Sequence, residues 1–203
     1  MRLITATPPP PSLRGDGSNP REPLRVGLVQ HRWRDDDAEL SKVLDDAIGT
    51  AADAGAQAVF LPELTLSKYP AAHRASGRPG DSAEPLTGGP TYAFAAAAAA
   101  AHDVIVHASL YERADADDGR GYNTAIMVAP DGTLLGRTRK LHIPVTAGYY
   151  EDTYFRPGPS DDAYPVYRPT SLPGAAIGLP TCWDEWFPEV ARAYGLAGAN
   201  LLA

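Results

Sequence analysis

The single cysteine of the chain, Cys182, is the residue best suited to covalent chemistry. Residues 176–179 before it form an apolar run typical of a buried strand, and apolar residues at helical spacing follow it. A thiol at a strand-to-helix junction is presented by the turn. There the helix N-terminus is expected to stabilise a thiolate and to offer N–H groups to an oxyanion. A lone cysteine is more often a small buried packing residue, so the other polar residues must decide between these interpretations.

Four polar residues in other segments could assist a thiol nucleophile. Glu63 follows a buried strand in FLPEL, where partial desolvation suits a carboxylate to general-base work, although a strand-end glutamate is also a common surface residue. Lys140 ends the run GRTRK and could stabilise an oxyanion, although most lysines are solvated charges. Glu151 lies in the loop sequence GYYEDTYFRPG and carries little meaning alone. We interpret His142, in KLHIP, as a structural histidine because Glu63 already offers a base.

The segments that would position these residues follow an α/β pattern. Apolar runs at residues 24–30 and 58–61 flank an amphipathic helix predicted over residues 38–54, which is the spacing of a βαβ unit. Further elements are expected as a helix (91–102), strands (103–113, 122–130 and 133–143), a strand (176–179), a helix (185–198) and the start of a strand (199–203). A turn is expected at the Pro130-Asp131-Gly132 sequence. Residues 144–173 form a long loop, which is usually functional.

Composition narrows the class of protein. The formal net charge of −7 argues against a nucleic-acid partner or an anionic membrane surface. No apolar stretch approaches the ~20 residues that span a bilayer. One cysteine cannot form an internal disulfide, which predicts a reducing, cytoplasmic setting. Residues 1–23, with four consecutive prolines, are expected to be a disordered leader, and residues 24–203 one domain.

Read together, the polar segments resemble the carbon–nitrogen hydrolases of the nitrilase superfamily. That family uses a Glu, Lys, Cys triad in this chain order. The matching sequences are FLPEL around Glu63, GRTRKLHIP around Lys140 and GLPTCWDEWFPEVAR around Cys182. A second family glutamate matches Glu151 in YYEDTYFRPG. The resemblance is strongest to the N-carbamoylputrescine amidase branch of the family.

The resemblance implies an α/β fold, the nitrilase-like αββα sandwich of two sheets, and a thiol-dependent hydrolase of a small amide or N-carbamoyl amine. Cys182 would attack the carbonyl, Glu63 would transfer protons, and Lys140 with the backbone N–H of Trp183 would hold the oxyanion. Glu151 would support Lys140 or the substrate nitrogen. The resemblance also implies no metal, no organic cofactor, a homo-oligomer and, through that branch, polyamine biosynthesis.

Two departures from the family pattern lie close to the thiol. Pro180 cannot donate a ladder hydrogen bond, so the end of the cysteine strand is expected to be irregular. Glu185 stands where a glutamine is expected, and its charge is expected to raise the pKa of the thiol.

The chain ends within an expected strand, which predicts a domain lacking its C-terminal strands. Two alternatives accompany the hypothesis of a hydrolase acting on an N-carbamoyl amine. One is another amidase or a nitrilase of the superfamily, and the other is a truncated inactive homologue or a partner subunit.

Overall fold

A computed structural model describes residues 1–6 and 23–203 of the chain. Residues 7–22, which hold most of the expected leader, lie outside the described residues. The helices and strands of the described part are β1 (Val26–Leu28), α1 (Asp37–Asp53), β2 (Ala58–Phe60), α2 (Pro90–His102), β3 (Ile105–Glu112), β4 (Tyr122–Val128), β5 (Leu134–Arg139), β6 (Val145–Thr146), β7 (Tyr149–Tyr150), β8 (Ile177–Gly178), α3 (Pro188–Leu196) and β9 (Leu201–Leu202).

A five-stranded sheet in the order β1-β2-β3-β4-β5 forms the centre of the molecule. Strands β1, β2 and β3 are parallel, as the βαβ spacing predicts, while β4 and β5 add to the edge in antiparallel orientation. All eight residues of β3 are buried, so this strand is covered on both faces of the sheet. Gly132 has φ +82° in the turn between β4 and β5, which confirms the expected turn.

Helices α1 and α2 cover one face of this sheet. Asp36 caps α1 by accepting a hydrogen bond from the Glu39 N–H at 2.7 Å, and Pro90 occupies the first turn of α2. The apolar stripe of α1, including Leu40, Leu44 and Ile48, packs with the alanines of α2 against alternate residues of β2, β3 and β4. The small alanine side chains allow α2 to lie close to the sheet.

The opposite face is covered by the second, two-stranded sheet of β8 and β9, which pair in parallel. Ile177 of β8 packs in one apolar cluster with Phe60, Ile105 and other residues on this face of the central sheet. The Tyr194 ring of α3 lies against Gly178, where an added Cβ would come within 2.5 Å of it. The layers are therefore helices, central sheet, small sheet and helix, which is the expected αββα arrangement.

The structure corrects the helix expected over residues 185–198. Residues Cys182–Trp186 form a 3-10 helix, and α3 begins only at Pro188. Proline disfavours helical backbone at the preceding residue, and Phe187 is extended, with φ −103° and ψ 114°. Trp186, one of the apolar residues whose spacing after Cys182 indicated the helix, is 74% exposed. The long segment 144–173 is also less irregular than expected, because it contains the β6–β7 hairpin and two 3-10 turns.

Candidate active site

Glu63 lies on a short turn that leaves the sheet and returns to it. The Leu61 N–H donates to the His107 carbonyl of β3, and the Thr65 N–H donates to the Ser109 carbonyl. The residues between these two bonds protrude beyond the end of β2. Leu64, 3% exposed, has φ +51°, a conformation that leucine rarely adopts and that packing must maintain. The turn therefore holds Glu63 just beyond the C-terminal end of β2, at a cost in backbone strain.

Cys182 begins the 3-10 helix after β8. Its φ is +49°, so the nucleophile candidate also has strained backbone, as functional positions often do. Thr181 and Asp184 form a reciprocal capping box across it, in which the Thr181 N–H donates to the Asp184 carboxylate at 3.1 Å. β8 ends at Gly178, before Pro180, which agrees with the irregular strand end expected there.

Lys140 follows β5 and has no exposed side-chain surface. Its ammonium donates to Glu151 Oε2 at 2.8 Å and to Glu63 Oε1 at 3.1 Å. Glu151, whose side chain is 1% exposed, opens a 3-10 turn and accepts a second bond from the Tyr69 hydroxyl at 3.0 Å. The structure thus brings Glu63, Lys140 and Glu151 into one ion-pair network, in which Lys140 and Glu151 are buried and the Glu63 side chain is 26% exposed.

The electrostatics of the network follow from burial and from paired charges. Burial alone would lower the pKa of the Lys140 ammonium, but Glu63 and Glu151 together raise it above its usual value. Burial raises the pKa of Glu151, and the hydrogen bond and charge of Lys140 oppose that rise. Burial and then the Glu151 charge raise the pKa of the Tyr69 hydroxyl, which keeps it a neutral donor.

The thiol does not have the stabilised thiolate character that its position predicted. Cys182 is exposed as a whole residue, but partial desolvation of its thiol raises the pKa of Cys182, the Glu63 charge raises it further, and Lys140 lowers it less than these effects combined. The physical reasons are this desolvation and the charges of Glu63 and Glu151. In addition, a 3-10 turn and not the α-helix begins at Cys182. The resting nucleophile is therefore a protonated thiol that needs a base.

Glu185 was expected to be the charge that raises the pKa of the thiol. Glu185 is exposed to solvent, and the carboxylates that act on the thiol are those of Glu63 and Glu151. Trp183 is the second residue of the 3-10 helix. Its backbone N–H is therefore among the first N–H groups of the helix, which have no acceptor within it.

Asp184 joins the cysteine turn to the segment after Lys140. Its carboxylate, 2% exposed, accepts from the backbone N–H groups of Leu141 at 3.2 Å and His142 at 2.8 Å. The His142 Nδ1 lies 2.8 Å from the same oxygen, and the ring stacks on Phe187 at 4.0 Å. His142 thus contacts Asp184 and Phe187, in agreement with a structural role.

Sequence reasoning missed three residues of the site: Tyr69 and Asn123, which donate hydrogen bonds to the network, and Asp184, which links the cysteine turn to the residues after Lys140. Asn123 of β4 is fully buried and donates from Nδ2 to Glu63 Oε1 at 2.6 Å. The available signal for Asn123 was an amide side chain near the start of a mostly apolar strand, in YNTAIM. Asp184 directly follows Cys182-Trp183, but Tyr69 carried no local signal.

The described part of the chain shows neither a cluster of metal ligands nor a helix that could span a membrane. No group of three or more His, Cys, Asp and Glu side chains in residues 1–6 and 23–203 could hold a metal ion. Within the same residues, every helix is too short or too polar to cross a bilayer.

The fold and the site define an α/β sandwich with a thiol, a carboxylate and an ammonium at one edge of its central sheet. The family model for carbon-nitrogen hydrolase matches residues 25–203. A citrullinase from Francisella tularensis subsp. tularensis (strain SCHU S4 / Schu 4) is 32% identical over 179 residues, covering 88% of this chain and 59% of the relative. An N-carbamoylputrescine amidase from Oryza sativa subsp. japonica is 34% identical over 180 residues, covering 88% of this chain and 56% of the relative.

Solved structures agree with this assignment. The crystal structure of a carbon-nitrogen hydrolase from Helicobacter pylori G27 matches with a TM-score of 0.72 and 28% identity, over 88% of this chain and 58% of that chain. The chain belongs to the carbon–nitrogen hydrolase family. It spans between 56% and 59% of the length of the two curated relatives named above.

Proposed function

We propose that this chain carries the catalytic groups of a thiol-dependent hydrolase that cleaves a C–N bond in a small amide or N-carbamoyl amine. The observation that carries the proposal is the buried Lys140 ammonium, bonded to Glu63 and Glu151. The charges of all three residues affect the pKa of Cys182, which supports a position of the thiol near them. Nucleophile, base and cation from separate segments are the parts that acyl transfer through a thioester requires.

In the first half-reaction, the Cys182 sulfur attacks the substrate carbonyl carbon while its proton passes to Glu63. The carbonyl π electrons move to oxygen, where Lys140 and the Trp183 backbone N–H stabilise the oxyanion. When the oxyanion collapses, the C–N bond breaks and Glu63 returns the proton to the departing nitrogen. The products of this half are a free amine or ammonia and an acyl or carbamoyl thioester on Cys182.

In the second half-reaction, water attacks the thioester and gives up a proton to Glu63. Collapse then releases the acid and returns the proton to the Cys182 sulfur. For an N-carbamoyl amine, the sum is R–NH–CO–NH₂ + H₂O → R–NH₂ + CO₂ + NH₃. Glu151 accepts bonds on both oxygens, from Tyr69 and Lys140, so its role is to hold the ammonium in place rather than to transfer protons.

The N-carbamoyl amine is the preferred substrate class. The relatives described above are named for citrulline and N-carbamoylputrescine, and both compounds end in the same –NH–CO–NH₂ group. An N-carbamoylputrescine-like substrate would connect the chain to polyamine biosynthesis. Another amidase activity of the superfamily is the alternative within the same chemistry. A homo-oligomer and a cytoplasmic location remain expectations.

Release of ammonia from a substrate panel tests the proposal. The panel contains N-carbamoylputrescine, citrulline and a simple aliphatic amide, assayed with the wild type, Cys182→Ala and Cys182→Ser. We expect the wild type to release ammonia and amine in equal amounts from at least one N-carbamoyl compound, and both variants to be inactive. Undiminished turnover by Cys182→Ala would refute the mechanism. Absence of turnover by wild type with every compound would instead favour an inactive homologue or a partner subunit.

A further inference from the structure

We propose that Asn123 is a positioning residue that occupies one oxygen of Glu63 and so leaves the other oxygen as the base for the thiol. The proposal rests on the proposed function, because it concerns how Glu63 receives the proton of Cys182. The contacts of Asn123, Ser109 and Lys140 support the proposal. The triad of Glu, Lys and Cys by itself assigns no role to Asn123.

The two donors that contact Glu63 share a single oxygen. Asn123 Nδ2 lies 2.6 Å from Oε1, and Lys140 Nζ lies 3.1 Å from the same atom. Among the hydrogen bonds of the described residues, none places a donor on Oε2. A carboxylate whose one oxygen is bonded to an amide and an ammonium concentrates its free lone pairs on the other oxygen. Oε2 is therefore the atom that takes the proton.

The orientation of the Asn123 amide is set from its other end. Asn123 is fully buried, and the hydroxyl of Ser109, 1% exposed, lies 3.4 Å from Asn123 Oδ1. A hydroxyl can donate to the amide oxygen, while the NH₂ group donates to Glu63. A flipped amide would place Oδ1 against a carboxylate oxygen, two acceptors with no proton between them. Ser109 thus selects the amide orientation that Glu63 needs.

Ser109 also connects this arrangement to the turn that carries Glu63. The Ser109 N–H donates to Thr65 Oγ1 at 2.9 Å, and the Thr65 N–H donates to the Ser109 carbonyl at 2.8 Å. The same residue of β3 therefore holds the end of the Glu63 turn by its backbone and the Asn123 amide by its side chain. Glu63 is positioned from two directions through one strand.

Replacement of Asn123 by aspartate keeps the shape and removes the donor. The titratable groups that face Glu63 are Lys140, Glu151, Cys182 and Tyr69. A carboxylate at position 123 would add a like charge at hydrogen-bonding distance, and the two carboxylates would share one proton. We expect the acidic limb of the kcat/KM profile to move up by at least about one pH unit. At neutral pH, kcat should fall roughly 10²-fold.

The matched control is Asn200→Asp, which makes the same change at an exposed asparagine before β9. Its pH profile should equal that of the wild type. The second measurement is alkylation of Cys182 by iodoacetamide across pH, which needs no turnover. In Asn123→Asp the alkylation midpoint should move to higher pH, because a further negative charge faces the thiol. A folded Asn123→Asp protein with both profiles unchanged would overturn the proposal.

Ser109→Ala tests amide orientation without adding a charge, and it remains informative when Asn123→Asp does not fold. We expect kcat to fall roughly fivefold, the equivalent of one neutral hydrogen bond, with KM unchanged. An unaltered kcat in folded Ser109→Ala would overturn the role of Ser109 in orienting the amide. A wild type that hydrolyses no amide, combined with a shifted alkylation profile in Asn123→Asp, would support the positioning role while refuting the proposed function.

Discussion

Substitution of Lys140 by methionine removes the charge that holds the site together while keeping a long side chain. The ammonium is fully buried, 2.8 Å from Glu151 and 3.1 Å from Glu63. Without it, the buried Glu151 has no cation to balance its charge. We expect Lys140→Met to be inactive and clearly less stable than the wild type.

The size of the loss follows from the burial of the pair. Removing one partner of a buried ion pair costs about 3–5 kcal/mol, mostly because the remaining charge stays buried without compensation. For a chain of this size, about 1 kcal/mol changes Tm by roughly 2–4 °C, so we expect Tm to fall by about 6–20 °C. The exposed Lys42, paired with Asp46 at 2.9 Å, provides the matched control. Lys42→Met should have the same Tm as the wild type, because exposed ion pairs contribute little to folding stability.

The double variant Lys140→Met/Glu151→Gln separates charge from packing. Glutamine can still accept the Tyr69 bond, and no unpaired buried charge remains at position 151. We expect it to recover more than half of the lost stability, measured by urea unfolding, but none of the activity. Equal stability of Lys140→Met and the wild type, or no recovery in the double variant, would refute the charge-burial explanation.

The stability difference between the wild type and Lys140→Met should also depend on pH. The folded pKa of Lys140 is raised, so its contribution is complete below about 10.4, its value in an unfolded chain, and is lost as pH rises through the folded pKa. In the variant, Glu151 has a folded pKa raised further by burial, so its protonation at acid pH relieves the unpaired charge. The difference should therefore be largest from neutral pH to about 10.4. A difference independent of pH between 5 and 12 would contradict this interpretation.

Two further predictions concern the thiol and its turn. Glu63→Gln should lower turnover roughly 10²–10⁴-fold by removing the base. It should also move the iodoacetamide alkylation midpoint of Cys182 to lower pH, because the Glu63 charge raises the pKa of that thiol; an unmoved midpoint would count against the proximity of the two groups. Asp184→Asn should destabilise the fold by about 1.5–3 kcal/mol in urea, since several donors lose a charged acceptor. It should also lower kcat more than it changes KM, and wild-type stability of this variant would refute the linking role of Asp184.

Local patterns in the sequence determined most of the elements. The apolar stripe of α1 and the apolar runs of β2 and β3 were recognisable because hydrophobic periodicity depends on neighbouring residues only. The same local reasoning failed after Cys182, where helical spacing of apolar residues continued through a segment that Pro188 interrupts. The restriction that proline places on Phe187 decided the start of α3.

Tertiary structure alone decided which groups meet and in what protonation state. Lys140 and Glu63 are 77 residues apart, and His142 and Asp184 are 42 apart, so no local pattern reports their contact. The sequence identified Cys182, Glu63, Lys140 and Glu151 as candidates by motif. It did not reveal that Asn123 and Lys140 share one Glu63 oxygen, or that desolvation with Glu63 and Glu151, rather than Glu185, raises the pKa of the thiol. A pKa depends on desolvation and on every charge packed around the titrating atom, and only the folded chain defines that environment.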